Sequence, residues 1–72
     1  LLFSENELKF NKELLDIMGT ALSDIYSAGG TVKIKKGNFF AEYLKPEEIM
    51  KDMRNIRTTI HFQEYGARRK WQ

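Results

Sequence analysis

The chain has 72 residues with no cysteine and one proline, and its 12 basic and 10 acidic side chains leave a net charge of only +2. A hydrophobic fraction of 42% against 31% charged excludes a disordered chain, the length permits one small domain, and the missing cysteines exclude zinc ribbons, redox centres and disulfide scaffolds. Apolar runs never exceed three residues (1–3 and 39–41), so neither a transmembrane span nor a signal-peptide core is expected.

Charge is unevenly placed. Residues 1–30 hold two lysines and five acids, a net of −3, whereas residues 31–72 hold ten basic and five acidic side chains, a net of +5. That asymmetry suits neighbouring copies in an assembly or a polyanion facing the second half; ordinary solvated charge is the plain alternative. The first residue is Leu1 rather than methionine, as expected of a processed, trimmed or partial chain. A domain this small buries only about 60% of its unfolded surface. With no disulfide or metal staple, it is expected to gain stability from a partner or sister subunit.

In chain order, the first element is a long amphipathic helix. Ser4-Glu5-Asn6-Glu7 fits a capping box, and Phe3 and Leu8 sit where a hydrophobic staple would place them. At 3.6-residue periodicity Leu14, Met18, Ala21, Leu22 and Ile25 share one side. Lys12, Asp16, Thr20, Ser23, Asp24 and Ser27 share the other. Gly19 either admits a close neighbour or is a tolerated surface glycine. Gly29-Gly30 ends the helix, because glycine takes the left-handed terminal conformation without steric cost.

Residues 31–44 change to a period of two. Thr31-Val32-Lys33-Ile34-Lys35 alternates, and a two-residue Gly37-Asn38 turn of type II′ predicts a hairpin. That register pairs Val32 with Tyr43, Lys33 with Glu42, Ile34 with Ala41, Lys35 with Phe40 and Lys36 with Phe39. Val32, Ile34, Ala41 and Tyr43 then form an inner face, with Lys33, Glu42, Lys35 and Phe40 on the outer one. Two strands alone are barely stable in water, so the hairpin must pack on the helices or extend a sheet across subunits.

A second helix starts at Pro46, with Glu47 and Glu48 complementing its positive end. Ile49, Met53, Ile56 and Ile60 form a narrow apolar seam. Residues 58–65 read equally as a strand or as further helix, since Thr58, Thr59, Ile60 and Phe62 are β-branched or aromatic. Gly66 breaks the pattern before a basic tail, residues 67–72. The expected fold class is α+β, a helix–β-hairpin–helix (α-β-β-α) domain over residues 1–66, followed by that tail.

No catalytic constellation emerges. His61 is the sole histidine and sequence alone gives it no nucleophile. Glu47 and Glu48 are explained by helix-start electrostatics, and Glu13 with Asp16 by a solvated face. Gly29-Gly30 follows a helix and lacks a phosphate-loop lysine. The expectation is a protein that is not an enzyme, with no cofactor and no metal. The tail carries more information: Arg68, Arg69 and Lys70 attract polyanions, and Trp71 supplies a ring that anchors in a pocket or stacks on a base. Phe40 and Tyr65 are the further candidates for partner contact. No helix reads as having a dedicated basic face, because Glu47, Glu48, Asp52 and Glu64 interrupt the basic residues.

Ala21-Leu22-Ser23-Asp24-Ile25 before the glycines, the Val32-Lys33-Ile34-Lys35-Lys36-Gly37 hairpin, Ala41-Glu42-Tyr43, then Glu48-Ile49, Met53 and Ile56, and the basic Arg68-Arg69-Lys70 together form a pattern. It resembles the lambda-type head-to-tail joining protein W family of tailed bacteriophages, over roughly residues 21–57 and the tail. The chain departs from that family in its apolar Leu1-Leu2-Phe3 lead, a shorter segment after the first helix and a more aromatic stretch over 58–65. The resemblance implies a component of the virion neck, assembled in the host cytoplasm with no membrane involved. Such a component binds beneath the portal protein ring after DNA packaging, helps retain the genome and offers the surface to which a tail or stopper protein attaches. It implies a homo-oligomeric ring near packaged DNA, with the C-terminal arm in portal clefts. The alternative expectation is a small nucleic-acid-binding regulatory protein; a homo-oligomeric adaptor unrelated to phage is a third.

Overall fold

A computed structural model describes residues 2–66. Helix α1 spans Glu5–Ala28, strands β1 and β2 span Val32–Lys36 and Phe39–Tyr43, helix α2 spans Pro46–His61, and a π-helical turn follows over Phe62–Gly66. The α-β-β-α order expected from the sequence is the observed one.

The capping box forms at the start of α1. The Glu7 amide donates to Ser4 Oγ at 3.2 Å, and the Ser4 amide donates to Glu7 Oε1 at 2.8 Å. Leu14, Met18, Ala21 and Ile25 are buried, Leu22 packs partly buried against them, and the six residues assigned to the polar face are exposed. The helix ends at the glycines as expected, but Gly29 takes φ 76° with ψ −168°, an extended positive-φ conformation rather than the left-handed helical one. Its amide donates to Ile25 O at 2.7 Å, and Gly30 also has positive φ, 84°.

The antiparallel pairing of β1 with β2 matches the predicted register at all five residue pairs. Gly37 has φ of 57° and, among the described residues, no non-glycine residue has positive φ, so Asn38 does not, which distinguishes type II′ from type I′. Ile34 and Tyr43 point inward and are buried, with Val32, Phe39 and Ala41 partly buried beside them. The hairpin therefore lies on the helix pair with α1 beneath β1 and α2 beneath β2. Leu14, Met18, Ala21, Ile25, Ile34, Tyr43 and Ile49 make one core.

Proline opens α2, and Glu48 Oε1 accepts from the Leu44 amide at 3.0 Å, tying the helix start to the end of β2. Ile49 and Ile60 are buried and Met53 and Ile56 partly so, as the apolar seam requires. Residues 58–65 are helical: α2 runs through His61 and widens into the π-helical turn. Thr59 fits because its hydroxyl donates back to Asn55 O at 3.1 Å, a partner available only in a helix. Long-range contacts then hold the turn. The Phe3 amide donates to Gln63 Oε1 at 2.8 Å, and Gln63 Nε2 donates to Phe3 O at 2.9 Å. Lys12 pairs with Glu64 at 2.5 Å. The start of α1 thus meets the end of α2, and the helices are antiparallel.

Gly19 lies at the helix–helix contact rather than on a free surface. A methyl group there would sit 4.0 Å from Met53 Cε, ordinary van der Waals distance, so the space is ample rather than required.

Candidate interaction surface

The period-two alternation that buries Tyr43 turns Phe40 outward. Phe40 is 62% exposed and shares the outer hairpin face with exposed Lys33, Lys35 and Glu42. On the inner face, Lys36 reaches back to α1. Its Nζ lies 3.0 Å from Glu13 Oε1 and 5.2 Å from the centroid of the Phe10 ring. The hydrogen bond and charge of Lys36 hold the Glu13 carboxyl below the usual range. A Cβ at Gly37 would stand 3.4 Å from the same Phe10 ring, so the turn seats tightly on α1. Phe40 therefore projects from a hairpin whose tip is anchored, which fixes its direction.

Tyr65, 57% exposed, lies on the π-helical turn, with its ring centroid 5.0 Å from that of His61 at an interplanar angle of 44°. Phe62 is exposed beside them. Arg57, Thr58, His61, Phe62 and Gly66 line an open depression of about 380 Å³ at this end of α2. The hairpin tip rests on Phe10 and Glu13 while the π-turn rests on Phe3 and Lys12, so Phe40 and Tyr65 stand on different elements toward the same end of the domain. Arg68, Arg69, Lys70 and Trp71 lie outside the described residues.

Basic and acidic side chains share the exposed surface of α2. Lys51, Arg54 and Arg57 are all exposed and follow one another at three-residue spacing. Acids interrupt them, as expected: Glu47 shares a depression with Lys51 and Arg54, and Glu48 and Asp52 share another with Lys51. Three of the acids also have partners on other elements. Glu48 accepts from the Leu44 amide, Asp52 Oδ2 accepts from the Tyr43 hydroxyl at 2.6 Å, and Glu64 pairs with Lys12.

The Tyr43 and Asp52 contact escaped the sequence reading. Tyr43 is 4% exposed, and burial, followed by the hydrogen bond to Asp52 and the charges of Asp52 and Glu48, pushes its phenol well above the usual range. A phenol held neutral and donating to a carboxylate ties β2 to α2; it is not poised as a nucleophile. Among the described residues, no hydrogen bond links His61 to a hydroxyl, no cluster of three His, Cys, Asp or Glu is arranged to hold a metal ion, and no helix is long and apolar enough to cross a membrane.

No protein-family model, curated protein or solved structure matches the chain.

Proposed function

We propose that the protein is a component of a phage virion neck: an adaptor, not an enzyme, that binds beneath the portal protein ring after DNA packaging, helps retain the genome and offers an attachment surface to a tail or stopper protein. The observation that carries this reading is the α-β-β-α order itself, helix, short hairpin and antiparallel helix, which is the order expected from the resemblance to the head-to-tail joining family. Exposed Phe40 and Tyr65 supply aromatic contacts of the kind enriched at protein interfaces. Arg68, Arg69, Lys70 and Trp71 continue the chain a few residues beyond Tyr65 as a basic arm for portal clefts. No cofactor or metal enters this role.

The test is co-sedimentation of the full chain with a candidate portal ring, imaged by electron microscopy. Full-length protein should decorate the ring, and a chain lacking residues 67–72 should keep its helical circular dichroism yet fail to bind. Undiminished binding by the truncated chain would remove the arm from the mechanism.

A second reading, a small nucleic-acid-binding regulator, draws support from the basic residues of α2. Lys51, Arg54 and Arg57 are spaced for phosphate contacts, although Glu47, Glu48 and Asp52 lie beside Lys51. That reading requires duplex or single-strand binding whose affinity falls steeply with added salt as counterion release is suppressed. Absence of binding at low salt counts against it.

A further inference from the structure

The two flanks of the domain carry opposite charge. With α1 beneath β1 and α2 beneath β2, the two helices present different surfaces to solvent. On the α1 flank, Asp16, Thr20 and Asp24 are exposed around Ile17, which is itself 38% exposed. A shallow depression of about 520 Å³ separates Ile17, Thr20 and Asp24 from residues 31–34, with Lys33 its one basic side chain. On the α2 flank, Met50 is 39% exposed and shares a depression of about 400 Å³ with Glu47, Lys51 and Arg54, while its sulfur accepts from the hydroxyl of exposed Tyr26 at 3.6 Å. A smaller hollow of about 150 Å³, also lined by Met50 and Arg54, adds Arg57 and the edges of Leu22 and Met53. Each flank thus offers exposed apolar surface beside charge, Ile17 with predominantly negative neighbours on α1 and Met50, beside Tyr26, with predominantly positive ones on α2. The apolar side chains supply burial and the neighbouring charges supply orientation.

We propose that these flanks bind one another between copies: the Asp16, Ile17 and Asp24 flank of one copy seats on the Met50, Lys51, Arg54 and Arg57 flank of the next. The outer hairpin face is a poorer match for the α2 flank: Lys33 borders both surfaces, but there Lys35 adds a second like charge against Glu42 alone, whereas Asp16 and Asp24 outnumber Lys33 on the α1 flank. Since the two surfaces are made of different residues, the contact is heterologous. Every added copy leaves one free flank of each sign, and assembly continues until a ring closes or a filament grows. The inference deepens the neck reading by naming the surfaces of its ring and rests on that reading for closure, while the pairing itself is tested without any portal.

Sedimentation velocity of the full chain over a dilution series provides the test, at about 50 mM and about 500 mM salt to vary screening. The protein should associate beyond a dimer at low salt and dissociate at high salt. Asp16→Lys with Asp24→Lys, and separately Lys51→Glu with Arg54→Glu, should each weaken association at least about tenfold. An equimolar mixture of the two variants should restore it, because each then presents the complement of the other. If a reversal lowers the helical circular dichroism, Asp16→Asn with Asp24→Asn replaces it and must still weaken association. A protein that stays monomeric at low salt, that stops at a dimer, or whose association survives both reversals overturns the proposal. So does a monomer that instead shifts duplex DNA through Lys51 and Arg54.

Discussion

Tyr43 and Phe40 are aromatic neighbours on one five-residue strand, yet one is 4% and the other 62% exposed. They sit three positions apart, so strand alternation sends them to opposite faces. Tyr43 lands on Ile34, Ile49 and the α1 core and finds a carboxylate for its hydroxyl. Phe40 lands beside lysines in solvent. Similar side-chain chemistry is therefore structural at one site and surplus to the fold at the other, and an aromatic that folding does not use is available for binding.

The sharpest way to break that contrast is to truncate both rings. Tyr43→Ala should cost about 3–5 kcal/mol, the range for deleting a buried aromatic, and in a small domain that is enough to shift a thermal or urea transition drastically. Phe40→Ala should change stability by less than about 0.5 kcal/mol while reducing portal binding in the co-sedimentation assay. Equal stability losses from the two variants would erase the distinction.

A smaller effect isolates the hydroxyl. Tyr43→Phe keeps the ring but leaves Asp52 without its donor, and should cost about 1–2 kcal/mol at neutral pH by urea denaturation, toward the lower end for a bond to a charged group because the site is only partly buried. The wild-type advantage has a defined pH dependence. The folded phenol holds its proton above the pH at which the unfolded phenol releases it, so the native state binds more protons there and stability falls as pH rises. The contribution is fully present below about pH 10, the ordinary tyrosine value, and the gap between wild type and Tyr43→Phe should narrow above it. A gap that widens in alkali would mean the proton is not held on Tyr43.

Least of all should come from the helix contact. Gly19→Ala places a methyl at ordinary distance from Met53 and removes a glycine from the middle of α1, so a gain of about 0.5–1 kcal/mol is expected in thermal melts. A loss would show that the helices approach more closely at Gly19 than 4.0 Å of clearance implies.

Much of the fold was legible because its signals are local. Ser4 and Glu7 cap α1 through atoms three residues apart, the Gly37-Asn38 turn sets the register of every strand pair, and Pro46 marks the start of α2. Each depends on backbone geometry within a single turn, which neighbouring residues control. The candidate surface was legible in part. Phe40 followed from register and is exposed as expected, and Tyr65 is exposed as well. The partners of three acids were not legible, because Leu44, Tyr43 and Lys12 reach Glu48, Asp52 and Glu64 from other elements.

Residues 58–65 mark the boundary of what local order could decide. Threonines, Ile60 and Phe62 satisfy a strand or a helix about equally, because β-branched and aromatic propensities differ between the two by less than tertiary contacts supply. Burial of Ile60, the paired bonds of Gln63 to the Phe3 backbone and the Lys12 and Glu64 contact select the helix. The partners in those bonds lie 52 and 60 positions apart along the chain, so they exist only once the antiparallel helices have met. The amino-acid order thus specified where each element begins, turns and pairs, since those choices are made between near neighbours. Which charges find partners, and how residues 58–65 fold, followed from packing, since burial assigns a direction to side chains that sequence spacing leaves free.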